Sequence, residues 1–356
     1  MGLMRRRIAR ARLAAQVIRR LRRAGVPDAR YHARTFEIHF TVPGDDEPTI
    51  LQLAPLLAER GRRGRSRRRI LDEFVAGLLH SPELPADWAD AAPLLRPVLR
   101  GAAPGEPLHR PVLPFLSEFV VADSPETITY VTRAQLETWS VSSATVFETA
   151  RSQLTGAVLH GTATGPVVVR FVDDGNAYWT SHLLLQGWLA RLSGQVGGVP
   201  VAFVPERGTL LVAADGSDHL PGLFAQSEAV FLTSPAALSP MAYVSDENGC
   251  TIPYPAPPGH PLHQTVRRAE RVLAVQEYAR QAAASPEPLP PLLLRDADPA
   301  GWTTRAIWEH DGPALLPEAD EVQLGDRVVP WASLAPHLTR AEDSGPPRWV
   351  GRSWSL

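Results

Sequence analysis

Val199-Pro200-Val201-Ala202-Phe203-Val204-Pro205-Glu206-Arg207-Gly208-Thr209-Leu210-Leu211-Val212-Ala213 decides the fold. Two apolar runs, Val199–Val204 and Thr209–Ala213, flank Pro205-Glu206-Arg207-Gly208, a turn signal between strands, so the stretch reads as a β-hairpin. Just upstream, Val167–Val172 is apolar enough for a central strand, and Asp173-Asp174-Gly175-Asn176 ends it. Ser181–Leu192 then carries Leu184, Leu185, Trp188, Leu189 and Leu192 at helical spacing and predicts a buried helix, with a further helix expected near Leu223–Phe231. Strands and helices combined in this way give the α+β class: a mixed or antiparallel sheet packed with helices.

The pattern extends in both directions. Residues 5–25 form an amphipathic helix in which Leu13, Ala14, Val17, Ile18 and Leu21 make one stripe, opposite Arg12, Arg19, Arg20, Arg22 and Arg23. That stripe suits a core-facing first helix, and less well a helix lying on anionic lipid. Arg34–Thr41 alternates Phe36, Ile38 and Phe40 with Glu37 and His39, the mark of a half-buried strand. A helix is expected from Ile70 to Leu79 and a short one around Asp90–Leu99. Strands follow at Glu118–Val121 and Ile128–Val131, then helices at Arg133–Trp139 and Ser142–Leu154. His260–Ala284 reads as a long helix, broken by Ser285-Pro286-Glu287-Pro288-Leu289-Pro290-Pro291. Five of the nine tryptophans lie beyond residue 300, where a short segment needs large rings to build a core. The expected organisation is a main domain over 1–284, a proline-rich linker over 285–299, and a small Trp-rich C-terminal segment over 300–356 docked on the main domain.

Composition removes several chemistries. All 36 basic side chains are arginine. Without lysine there is no P-loop lysine, no kinase strand lysine and no pyridoxal Schiff base. Such a bias matches a GC-rich bacterial genome, so the arginine total says little about function. Its distribution says more: residues 1–69 hold 18 arginines against six acids, while the remainder is acidic enough to bring the net charge to −2. One cysteine, Cys250, permits no internal disulfide, so the cytoplasm is the expected compartment. No apolar run approaches the ~18–20 residues of a membrane span, so the chain is not expected to be transmembrane.

Ile128-Thr129-Tyr130-Val131-Thr132-Arg133-Ala134-Gln135-Leu136-Glu137-Thr138-Trp139-Ser140-Val141-Ser142, followed by Phe147-Glu148-Thr149-Ala150 and Leu154, resembles the YtpQ-like family of bacterial domains of unknown function. Arg110-Pro111-Val112, Phe119-Val120-Val121, the stretch from Asp174 to Leu185, and Val204-Pro205-Glu206-Arg207 with Leu210–Asp215 fit the same pattern, covering about residues 30–255. The resemblance implies a cytoplasmic bacterial α+β protein. It implies no reaction, cofactor or catalytic residue.

The candidate site is the strand end Asp173-Asp174-Gly175 with Ser181, joined by Glu206, Arg207 and Asp215. Carboxylates there suit a hard cation or acid–base work, whereas the structural alternative is turn initiation by the aspartates and helix capping by Ser181. Cys250 has no neighbouring histidine in sequence, and His260 and His263 lack a metal-binding motif, so no metal and no cofactor are expected. The basic run Arg60, Arg62, Arg63, Arg65, Arg67, Arg68 and Arg69 suits phosphates, but no aromatic residue interleaves it. The leading expectation is a non-catalytic interaction or regulatory protein with a protein partner. The alternatives are a hydrolase or metal-dependent enzyme built on Asp173, Asp174, Glu206 and Arg207, or nucleic-acid binding through 60–69, with an anionic surface as a further partner class.

Overall fold

The N-terminal apolar stripe forms one face of helix α1 (Gly2–Arg23) in the computed structural model. The structure describes residues 2–23, 26–32, 36–41, 48–53, 84–101, 107–124, 128–154, 162–165, 167–172, 178–234, 236–285, 287–297, 301–341 and 346–354. The run Arg60–Arg69, the helix expected over 70–79, and Asp173 and Asp174 lie outside them. The chain divides into two units, Met1–Pro85 with Ser124–Thr127, and Ala86–Asp123 with Ile128–Leu356. Residues 300–356 belong to the larger unit.

In the smaller unit α1 accompanies an antiparallel sheet of β1 (Arg30–His32), β2 (Glu37–Thr41) and β3 (Pro48–Gln52), with β2 central. Leu13, Ala14, Val17 and Leu21 pack with Val26, Phe36, Ile38, Phe40, Leu51 and Leu53 in one core. Each large side chain buried this way contributes about 1.5–3 kcal/mol. The alternation of Arg34–Thr41 thus has its predicted sense, with Phe36, Ile38 and Phe40 buried; Glu37, however, is also buried and lies 3.2 Å from His39 Nε2.

The larger unit holds the rest. β4 (Leu95–Gly101), β5 (His109–Leu113), β6 (Leu116–Asp123) and β7 (Ile128–Tyr130) form an antiparallel sheet in which β6 is central. The helix expected over 90–99 is corrected here: a single turn, Trp88–Ala91, and a 3₁₀ turn, Ala92–Leu94, lead directly into β4. Pro97 is tolerated because β4 is an edge strand. Helices α2 (Arg133–Trp139) and α3 (Ser143–Ser152) start as predicted, the first at a Thr132/Gln135 capping box, the second with Ser142 Oγ accepting from Thr145 N–H at 3.1 Å.

The quoted hairpin forms β9 (Pro200–Glu206) and β10 (Thr209–Ala214), at the heart of an antiparallel sheet. Its order is β12 (Thr251–Pro253), β11 (Ala242–Ser245), β9, β10, β8 (Val168–Val172). Helix α4 (Leu220–Thr233) packs on β9, and α5 (His263–Ala284) packs beside it. The long helix expected over 181–192 does not form. Two 3₁₀ turns, Trp179–Leu184 and Ala190–Leu192, are separated by Gly187, which sits at φ 71° and donates its N–H to Gly249 O at 2.8 Å. Leu184, Trp188, Leu189 and Leu192 are nonetheless buried, while Leu185 is half-buried.

After α5, β13 (Leu292–Ala297), β14 (Gly301–Trp308), β16 (Glu321–Leu324) and β17 (Arg327–Pro330) form a mixed sheet whose β14–β16 pair is parallel. β15 (Ala314–Pro317), β18 (Thr339–Arg340) and β19 (Arg348–Gly351) form a small antiparallel one. Trp308, Trp331, Trp349 and Trp354 share a core with Leu316, Val322, Leu324 and Tyr278 of α5. The late tryptophans thus build a core around the helix C-terminus. Arg348, 1% exposed, ties this layer to α5: its Nε donates to Gln281 Oε1 at 2.6 Å and its Nη1 to Leu315 O at 2.8 Å. Burial pushes the Arg348 pKa below the usual guanidinium value. The architecture is α+β.

Candidate functional site

Of the expected carboxylate site the structure describes Ser181, Glu206, Arg207 and Asp215. Val172, the last described residue before Asp173, pairs with Thr209, so the end of β8 runs beside the hairpin turn. At that turn both Glu206 oxygens are occupied: Thr209 Oγ1 donates to one at 3.0 Å and Ser234 Oγ, just past α4, to the other at 2.8 Å. Arg207 N–H donates to Ala236 O at 3.0 Å, and Thr180 Oγ1 lies 3.4 Å from Arg207 O. Glu206 therefore clamps the hairpin to the helix end. Asp215 lies at the far end of β10, about 20 Å away at ~3.3 Å per residue. There its Oδ1 accepts from Tyr254 O–H at 2.7 Å and from Gly216 N–H at 2.8 Å. Burial, then the Asp215 carboxylate, pushes the Tyr254 pKa up, so the phenol stays a donor.

Ser181 does not cap a helix. It is buried inside the first 3₁₀ segment, and its hydroxyl finds no hydrogen-bond partner among the described residues. His182 beside it places Nδ1 3.2 Å from Tyr178 O, which assigns the proton to Nδ1. Its Nε2 is buried without a partner among the described residues, and its ring lies against Trp179 and Trp188. Burial lowers the His182 pKa and keeps the ring neutral.

Other polar groups escaped the sequence reading. Glu118, fully buried on β6, accepts from Arg110 Nε and from both Nε and Nη2 of Arg151, each at 2.7 Å. Glu277 on α5 is 1% exposed; Arg280 donates to one oxygen at 2.6 Å, and the other has no partner among the described residues. Burial outweighs the Arg280 charge and raises the Glu277 pKa to about 7. A Glu followed three residues later by Arg looks like a surface pair; only the approach of Gly101 at the end of β4 shows otherwise. Among the described residues no group of three His, Cys, Asp or Glu side chains is arranged to hold a metal ion. Nor is any described helix long and apolar enough to cross a membrane.

The arginines of the larger unit divide, since Arg133, Arg170, Arg191, Arg295 and Arg327 are exposed with no carboxylate partner among the described residues while others are paired. In the larger unit Arg110, Arg151, Arg267, Arg268, Arg271, Arg280 and Arg305 each meet a carboxylate within 4.0 Å. Arg271 and Thr304 hold Asp320 below its ordinary pKa despite burial, and Arg268 also lies 4.0 Å over the Trp302 ring. On α1 one row of arginines is likewise without carboxylates. Arg12, Arg19 and Arg23 are exposed, and none has a carboxylate partner among the described residues. The helix itself, GLMRRRIARARLAAQVIRRLRR, contains no acid. Because the apolar stripe is spent on the core, Arg12, Arg19 and Arg23 are directed outward. No protein-family model, curated protein or solved structure matches this chain.

Proposed function

We propose that this chain is a non-catalytic, cytoplasmic interaction protein that docks on a polyanionic macromolecule through the arginine face of α1. The observation that carries the reading is a row of exposed arginines, Arg12, Arg19 and Arg23, with no carboxylate partner among the described residues, along a helix that contains no acid. Genome composition sets how many arginines there are, but it does not decide which ones lack partners. A cluster of uncompensated guanidinium groups raises the local potential and attracts anions. Glu206, the described carboxylate of the expected catalytic group, supports the same view, since both its oxygens are held by internal donors. The proposed resemblance to the YtpQ-like family carries no reaction that competes with it.

The test is retention on immobilised heparin at pH 8, where a chain of net charge −2 carries the wrong overall sign to bind. Retention that is lost early in a salt gradient for R12A/R19A/R23A supports the reading. Flow-through of the unmodified protein at ~50 mM salt, where screening still leaves a ~14 Å Debye length, refutes it.

A further inference from the structure

We propose that the occupant of the α1 face is the phosphate backbone of double-stranded nucleic acid, bound without regard to sequence. This rests on the polyanion reading above and narrows it to one partner.

Three observations select a duplex over other anionic surfaces. First, geometry: Arg12, Arg19 and Arg23 stand at i, i+7 and i+11, which keeps them within about 40° of one another around the helix and spaces them about 10 and 6 Å along it. That row is about 16 Å long, and a duplex presents about ten phosphates over the same length of its axis. Second, among the described side chains this face has no apolar anchor. Protein interfaces draw their energy from buried aromatic and large aliphatic side chains. The described positions alongside the row are Ala11, Ala15 and Gln16, and the exposed large apolar residues, among them Ile128, Val168, Val199 and Leu232, lie on other elements. Third, Leu13, Val17 and Leu21 are at most 3% exposed against the sheet, so they are not free to enter a bilayer. Single strands are disfavoured as well, since they are held largely by stacking on aromatic rings, and this face carries none. Guanidinium forks match phosphate oxygens, and contacts to phosphate carry no sequence information, so the binding is indifferent to sequence.

The experiment is a fluorescence-anisotropy titration of the full chain against a labelled 30-bp DNA duplex at several salt concentrations. Parallel arms use polyglutamate and vesicles of phosphatidylglycerol in phosphatidylcholine. Each phosphate neutralised adds about 0.9 to the steepness of log affinity against log salt. Three arginines give a slope of at least about 2.7 in magnitude, and about a 40-fold weakening from 50 to 200 mM salt. R12A/R19A/R23A flattens the slope by about 2.7; alanine favours helix, and unchanged far-ultraviolet dichroism shows that α1 persists. Duplex binding with an unchanged slope in the triple variant overturns the proposal. Equal or tighter binding of polyglutamate or vesicles removes the nucleic-acid assignment and leaves the polyanion reading standing. Binding of none of the three removes both.

Discussion

Glu277 offers the sharpest test of the folded architecture. Its carboxylate is 1% exposed, one oxygen is met by Arg280 and the other is unpartnered among the described residues, and its pKa is raised to about 7 from 4.5. Between those two values the folded state holds a proton that the unfolded state has released, so stability falls as pH rises. The contribution is fully present below about pH 4.5 and fully lost above about pH 7. At 1.36 kcal/mol per unit, the loss amounts to about 3 kcal/mol. Glu277→Gln has no proton to lose, so its stability relative to the unmodified chain increases by about 3 kcal/mol from pH 4.5 to pH 8. All nine tryptophans lie in the larger unit, so denaturant unfolding followed by their fluorescence reports on that unit alone. A difference between the two proteins that does not change with pH, or one that shrinks as pH rises, refutes the reasoning.

Three further substitutions probe particular side chains by the same unfolding measurement. Glu206→Ala releases Thr209 and Ser234, costs about 1–2 kcal/mol, and leaves heparin retention unaltered; a loss of retention shows that the hairpin end takes part in binding. Ser181→Ala removes a buried hydroxyl that has no partner among the described residues and is neutral or stabilising by up to about 1 kcal/mol, so a clear loss of stability contradicts its assignment as a spare polar group. Arg348→Met strips donors from Gln281, Leu315 and Pro290 and costs at least about 3 kcal/mol; a cost under about 1 kcal/mol contradicts its role in joining the C-terminal layer to α5.

Much of the fold was legible because periodicity and turn chemistry agreed. The α1 stripe, the Phe36–Phe40 alternation, the Pro205–Gly208 turn and the Ser142 cap each combine a local signal with the burial it requires. Where the reading failed, one signal admitted two structures. Leucines and a tryptophan at 181–192 have helical spacing, but Tyr178 at φ 49° and a Gly187 held by Gly249 break the segment into 3₁₀ turns. Pro93 and Pro97 hid the strand at 95–101, because a proline on an edge strand costs no ladder bond. The candidate site was less legible. Glu206 and Asp215 are close in sequence, yet the strand between them carries them to opposite ends of the sheet. Glu277 escaped notice because its burial depends on Gly101, far upstream. The arginine gradient was visible in the sequence; which arginines lack partners became visible only once the pairs were formed.

Arginine-selective modification by phenylglyoxal, read residue by residue by mass spectrometry, tests the central claim most directly. In the free protein Arg12, Arg19 and Arg23 react quickly, while the bidentate pair-formers Arg151 and Arg268 react slowly. Adding a 30-bp duplex protects the first three and leaves Arg151 and Arg268 unchanged. If the α1 arginines keep their full reactivity when the duplex is bound, the binding face has been assigned to the wrong surface.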